Sequence, residues 1–123
     1  MNIVLWIVAG LLAAAFLMAG VLKVSQPKEK LARNMGWVED FSAGMVKFIG
    51  TMEILGAIGL ILPAALHIAP VLTPLAAVGL AITMVLAAIV HVRRGELSNI
   101  GVNVVLFLLA AFVAVLRFGA YAF

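Results

Sequence analysis

Cysteine is absent from this 123-residue chain, histidine occurs twice, and only 11% of the residues are charged. Without cysteine there is no disulfide, no thiolate metal site and no cysteine-ligated iron–sulfur cluster. His67 and His91 fall at opposite ends of hydrophobic segments, which excludes a two-histidine haem or metal site within one copy of the chain. Flavin, nicotinamide, nucleotide and serine-nucleophile motifs are also missing. We therefore expect no metal and no intrinsic cofactor, and no residue pattern identifies a catalytic residue.

The low polar content also excludes a water-soluble domain. Hydrophobic residues make up 67% of the chain and the mean hydropathy is +1.30, whereas soluble domains are about half apolar and about a quarter charged. A bilayer can solvate the apolar excess that a small soluble core cannot bury. The chain is therefore predicted to be an integral membrane protein with a single transmembrane domain over residues 1–123. The net charge of +3 is scattered between hydrophobic segments, so we expect no nucleic-acid partner.

Four hydrophobic runs are long enough to cross an apolar bilayer core of about 30 Å. Pro63 is expected to stop the second run, and Ser98 or Asn99 to cap the fourth. Short connections between the runs favour an all-α, antiparallel four-helix bundle in the membrane. The expected spans cover approximately residues 3–22, 45–62, 70–92 and 100–116.

Basic residues are concentrated on one side of these spans. Arg117 alone lies on the other side, together with both termini. By the positive-inside rule, the basic side is cytoplasmic and both termini face the external side. The basic residues in or beside the first and third connections are Lys23, Lys28, Lys30, Arg33, Lys47, Arg93 and Arg94.

The connection between the first two spans carries apolar residues at helical spacing. Leu31, Met35 and Val38 lie three or four positions apart, and Pro27 is suited to the start of a helix. Together with Trp37, this pattern predicts a short amphipathic segment lying in the cytoplasmic interface. An irregular loop that only supplies topogenic charge is an equally good interpretation.

Glu53 is the most informative polar residue, because it lies about two turns inside the second span. An unpaired carboxylate at membrane depth costs roughly 2.5–3.5 kcal/mol. Gly50 and Gly56 share its helix face, so this face is predicted to point into the bundle against another helix. Lys23, at the end of the first span, is available as an ion-pair partner. Glu53 is therefore either a structural ion-pair residue or a protonatable ligand-binding group.

The other two spans each contribute a polar side chain at a similar depth. His91 falls in the last turn of the third span, where a hydrogen-bonding or cationic residue is favoured. Asn103 lies one turn into the fourth span and needs a hydrogen-bond partner, for which a neighbouring helix suffices. The convergence of all four nevertheless favours a polar intramembrane site near the cytoplasmic side. The candidates for ligand binding or proton relay are Lys23, Glu53, His91 and Asn103.

Several short motifs occur along nearly the whole chain. They are Ala19-Gly20-Val21-Leu22-Lys23, then Pro27, then Gly50-Thr51-Met52-Glu53-Ile54-Leu55-Gly56 before Leu62-Pro63, then His91-Val92-Arg93-Arg94-Gly95-Glu96, and Asn103. Together they resemble the DoxX-like family of small four-helix bacterial membrane proteins. The resemblance implies a multi-pass protein of the bacterial inner membrane.

The resemblance also implies a link to quinones, because the family takes its name from a membrane subunit of thiosulfate:quinone oxidoreduction. In that role the chain would bind quinone, as a homo-oligomer or beside a membrane or peripheral redox partner that carries the electrons. A non-enzymatic helper that binds lipid or another membrane protein through small residues, such as Gly10 with Ala14, is the alternative. A small proton-coupled transporter is disfavoured, since four spans without an inverted repeat are few for a carrier.

Overall fold

The structure, a computed structural model, describes residues 1–32, 38, 41–96 and 100–123. These residues form five helices and no strand. Four of the helices are long and apolar enough to cross a membrane. The helices are α1 (Asn2–Ser25), α2 (Lys28–Leu31), α3 (Ala43–Ala65), α4 (Leu72–Arg93) and α5 (Ile100–Phe118).

The prediction of an all-α four-helix membrane bundle is confirmed. Helix α4 begins two residues later than expected, because Pro70 and Val71 belong to the turn before it. Ser98 and Asn99, which were expected to cap the fourth span, lie outside the described residues.

Each long helix packs against its neighbours in sequence. Helix α1 packs most extensively against α3, α4 packs against α5, α3 joins these two pairs through α4, and contacts between α1 and α5 close the bundle. The outward faces are as apolar as the core, with large side chains that lipid covers, such as Ile3, Leu11 and Val115. The central core includes Leu5, Leu12, Phe16, Leu60, Leu80 and Val113.

Helix α3 starts where the Ser42 hydroxyl accepts a hydrogen bond from the Met45 amide at 3.1 Å. The expectation that Pro63 would stop this helix was wrong, because α3 continues to Ala65. Pro63 has no amide hydrogen for the Gly59 carbonyl. The Thr73 hydroxyl of α4 supplies a donor in its place, 3.4 Å from the Gly59 oxygen and 3.2 Å from the Leu60 oxygen. A contact from the next helix therefore satisfies the acceptor that the proline leaves without its usual partner.

The connection after α1 contains the short helix predicted after Pro27, which is a single turn long. Leu31 and Val38 are buried together with Val46 of α3. This part of the connection therefore covers the end of the α1–α3 pair. Met35 and Trp37, which complete the predicted amphipathic face, lie outside the described residues.

Candidate functional site

Most basic residues lie at the end of the bundle where α1 and α4 end, which we call the basic end. The opposite end, where α1 begins and α5 ends, is called the terminal end. The described residues of the basic end include Lys23, Lys28, Lys30, Lys47, Arg93 and Arg94.

Near the basic end, α1 and α3 approach each other closely at two glycines. A Cβ atom added to Gly20 would lie 2.6 Å from the Gly50 carbonyl oxygen, and one added to Gly50 would lie 2.8 Å from the Gly20 oxygen. The Gly50 position would also bring a Cβ atom within 2.7 Å of the Lys23 Cβ atom. The glycines therefore let the two backbones touch and leave space for the lysine side chain to lie across α3.

Lys23 and Glu53 form an ion pair beside this crossing, in which the lysine Nζ donates to the glutamate Oε1. Their side chains are only 10% and 3% exposed. Helical side chains lean toward the N-terminus of their own helix. Because α1 and α3 are antiparallel, Lys23 leans into the bundle and Glu53 leans toward the basic end, so the two side chains converge. The ion pair that the sequence left available is therefore formed.

His91 is held by a second, local arrangement at the end of α4. Gly95 adopts the left-handed conformation with φ of 72°, and the Glu96 amide donates to the His91 carbonyl at 2.8 Å. The Gly95 amide donates to the Val92 carbonyl at 3.1 Å, which completes a Schellman motif. The turn returns Glu96 over the helix end, where its Oε1 atom lies 3.1 Å from His91 Nδ1 and 3.3 Å from Arg94 Nε.

The sequence analysis did not identify Glu96 as a partner of His91. The signal was nevertheless present, because a glycine four positions after His91 and just beyond the helical run is typical of a Schellman turn. Such a turn brings the residue after the glycine back toward the last helical turn. His91 is therefore engaged by its own helix end.

Asn103 connects α5 to α4 through a weak contact, in which its Nδ2 atom donates to the sulfur of Met84 at 3.7 Å. It also lines a groove of about 440 Å³ between these two helices. Asn103 and Arg93 are the polar residues of the groove, and its apolar lining includes Met84, Ala88, Val92, Val104 and Phe107.

Of the four predicted site residues, the structure joins Lys23 with Glu53 directly. Within the described part of the chain, the side-chain hydrogen bonds of His91 and Asn103 lead to Glu96 and Met84 instead. All four predicted residues are buried. In the part of the basic end that the structure describes, the predicted residues thus belong to three polar arrangements, one between α1 and α3, one at the end of α4, and one between α4 and α5.

A family model described as the DoxX-like family matches residues 7–113. The chain belongs to the DoxX-like family. No curated protein and no solved structure matches it. The family match and the four apolar helices establish a multi-pass integral membrane protein.

The motifs that carry the DoxX-like resemblance coincide with these structural features. The motif that ends in Lys23 and the motif that contains Glu53 supply the glycine crossing and the buried ion pair. The motif from His91 to Glu96 forms the Schellman turn. Asn103, the last residue of the resemblance, is the polar side chain of the α4–α5 groove. In this DoxX-like chain, two of the motifs thus build the helix packing and one residue lines a groove.

Proposed function

We propose that this DoxX-like protein binds a quinone, or a similar lipophilic carbonyl compound, in the groove between α4 and α5. The groove carries the proposal: its volume of about 440 Å³ is within the range of roughly 300–1,000 Å³ that is usual for small-molecule sites. Its lining is apolar apart from Asn103 and Arg93. Such a surface suits a ring and an isoprenoid chain that enter from the surrounding lipid.

Asn103 supplies the specific contact in this proposal. The sulfur of Met84 is a weak acceptor, and 3.7 Å is a long separation for its hydrogen bond. A quinone carbonyl oxygen would be a stronger acceptor for the same amide donor. The ligand would therefore replace the Met84 contact by a better one.

Lys23, Glu53 and His91 are assigned supporting roles. Lys23 and Glu53 engage each other, and His91 engages Glu96. The first pair would fix α1 to α3, and the second would order the end of α4 beside the groove, while the contact to the ligand comes from Asn103. In this role the chain would present the bound quinone to a membrane or peripheral redox partner. That partner would exchange the electrons with the quinone.

Equilibrium binding of short-chain ubiquinone and menaquinone analogues to the full chain in nanodiscs tests the proposal. Asn103→Leu removes the amide at similar size and is expected to weaken binding about tenfold, the effect of one hydrogen bond. Ala88→Phe should abolish binding by filling the groove. Thr83→Val is the matched control, since this α4 hydroxyl bonds the Gly79 carbonyl of its own helix and does not line the groove.

Two results would contradict the proposed site. One is the absence of saturable binding to the wild-type chain in its folded state. The other is an Asn103→Leu variant that binds the analogues as tightly as the Thr83→Val control.

We also infer that both termini face the periplasmic side of a bacterial inner membrane. The support is the charge asymmetry, since the terminal end has Arg117 as its basic side chain while the other seven lysines and arginines belong to the first and third connections or their flanks. Alkaline phosphatase fused after Phe123 should be active, and a green fluorescent protein fused there should be dark. A fluorescent fusion would reverse the orientation.

A second candidate function, a non-enzymatic membrane helper, has one observation in its favour. Gly10 and Ala14 are exposed one turn apart on α1, and a Cβ atom added to Gly10 would meet nothing within 4 Å. This face could accept a helix of another protein. Ala110 and Ala114, which show the same spacing, are buried within the bundle. Crosslinking in native membranes should capture a client that Gly10→Leu loses, and capture unaffected by Gly10→Leu would reject this face.

A further inference from the structure

A buried arginine lies at the terminal end, far along the bundle from the groove proposed for quinone. Arg117 occupies the last turn of α5 and is only 5% exposed. Its Nη1 atom donates to the Asn2 side-chain oxygen at 2.7 Å and to the Tyr121 carbonyl at 2.9 Å. The guanidinium is therefore fixed between the start of α1 and the chain that follows α5.

Aromatic rings cover the same guanidinium. Its central carbon lies 3.9 Å from the ring centre of Phe123 and 5.9 Å from that of Trp6. These two rings also contact each other, with centres 5.7 Å apart. Stacking on ring faces attracts a cation and holds its plane in one orientation.

All of these partners are neutral. The acidic residues of the chain belong to the first and third connections or to the first half of α3. Among the described residues, Arg117 therefore has no carboxylate partner, although a buried charge is costly without a counter-charge. The acidic residues are Glu29, Glu39, Asp40, Glu53 and Glu96.

A cavity of about 270 Å³ lies beside the guanidinium. The two hydrogen bonds described for Arg117 both start from Nη1, whereas a guanidinium has five N–H donors in a planar fork that matches a phosphate group. The rest of the cavity lining is apolar and comprises Pro70, Val71, Phe118, Ala122 and Phe123.

We propose that this cavity binds the phosphate ester of an anionic phospholipid headgroup. Arg117 would pair with the phosphate oxygens, and the apolar lining would contact the glycerol and the first acyl carbons. The depth suits a headgroup, because Trp6 and Tyr121 flank the site and such aromatic residues concentrate at the membrane interface. The lipid would supply a negative charge at the end of the bundle whose sequence segments contain no acidic side chain.

Native mass spectrometry of the full chain, titrated with phosphatidylglycerol or phosphatidylcholine of the same acyl chains, tests the proposal. We expect the wild type to bind phosphatidylglycerol at least about tenfold more tightly than phosphatidylcholine, because both lipids carry the phosphate but the choline cation of the second neutralises it and is repelled by Arg117. Arg117→Gln should lose this preference. Lys30→Gln removes the same charge from an exposed position at the other end and should retain it.

Ala122→Trp provides a test that keeps the arginine. The indole would occupy the cavity, so the preference should disappear in a protein that retains Arg117 and its contacts to Asn2 and Tyr121. Competition with glycerol 3-phosphate, a soluble phosphate ester without acyl chains, distinguishes a site for a free phosphate ester from a site for a lipid. Equal binding of both lipids to the wild type, a preference that survives in Arg117→Gln or Ala122→Trp, or displacement of the lipid by millimolar glycerol phosphate would overturn the proposal.

Discussion

Two buried cations, one at each end of the bundle, show two ways of placing charge inside a membrane protein. Counted over the whole residue, Lys23 and Arg117 are 8% and 5% exposed. Lys23 meets the carboxylate of Glu53 on the neighbouring helix, whereas Arg117 is held by an amide, a carbonyl and two rings. The first arrangement neutralises its charge within the protein. The second leaves a net positive charge beside a cavity.

The difference follows from where the acidic residues are placed along the chain. Glu53 is the acidic residue of α3, one turn from the crossing at Gly50, so the pair can form only where α1 and α3 touch. The terminal end has no acidic residue in its sequence segments and uses neutral polar groups throughout, including Thr73 on the Gly59 carbonyl. Ion pairing therefore joins helices at one end, and hydrogen bonds to neutral acceptors join them at the other.

Removing the Glu53 carboxylate should change the stability of the bundle more than any other substitution considered for these two cations. Glu53→Leu should lower the free energy of unfolding by about 3–5 kcal/mol, because it removes the carboxylate with which the buried Lys23 forms its ion pair. The double variant Lys23→Met with Glu53→Leu should recover most of the loss, since neither charge then remains. Unfolding in mixed detergent micelles measures both. Arg117→Met should cost less than Glu53→Leu, because it leaves only neutral acceptors behind.

Glu53→Gln separates the two interpretations of this residue. The amide keeps the shape and a hydrogen-bond acceptor but removes the charge. A large loss of stability would identify a structural ion pair. Near-normal stability together with lost quinone binding would instead make Glu53 part of the ligand site and contradict the supporting role assigned to it above.

The glycine crossing allows a comparison on a single helix. Gly20→Ala should destabilise the bundle by about 1–3 kcal/mol, because its Cβ atom would lie 2.6 Å from a backbone oxygen of α3. Gly10→Ala is the matched control, since its Cβ atom would meet nothing within 4 Å. The control should be neutral or slightly stabilising through helix propensity. Equal effects of the two changes would mean that the crossing does not limit the approach of α1 and α3.

Residue patterns in single segments predicted the membrane class and the helices, and they indicated that Glu53 would face another helix, with Lys23 available as a partner. Each depends on hydrophobic length or on the cost of a charge in lipid, which are properties of the chain itself. The continuation of α3 past Pro63 was not predictable in this way, because its carbonyl acceptor is satisfied by Thr73 of another helix. The same holds for the groove at Asn103, since its shape depends on how α4 and α5 pack.

The burial of Arg117 could not be predicted from a single segment either. Its sequence position identified it as the basic residue opposite the others, and a surface anchor would fit that pattern. Its burial results from Asn2 and Trp6, which are more than 100 residues away along the chain. Only the closure of α1 against α5 brings these groups together.

Substitutions of Gly95 in the turn at the basic end should have a smaller effect on the free energy of unfolding. Gly95→Ala should cost roughly 1–2 kcal/mol, the penalty of placing a side chain in the left-handed conformation that Gly95 adopts. Gly95→Asn should cost less, because asparagine tolerates this conformation better. Unfolding measurements on both variants check the order. If alanine and asparagine cost the same, the left-handed conformation of residue 95 does not limit the stability of this turn.

Removing the Thr73 hydroxyl at the terminal end should have the smallest effect on the free energy of unfolding. The change tests whether a neutral hydrogen bond stabilises the packing of α3 and α4 there. Thr73→Val should cost about 1 kcal/mol, because the Gly59 and Leu60 carbonyls lose their hydroxyl donor. In a Pro63→Ala background the same change should cost less, since residue 63 then has an amide hydrogen that can donate to the Gly59 carbonyl. A double-mutant cycle of unfolding free energies measures this coupling, which we expect to be about 0.5 kcal/mol or more. Strict additivity of the two changes would show that the hydroxyl does not substitute for the missing amide, and that the helix tolerates Pro63 for another reason.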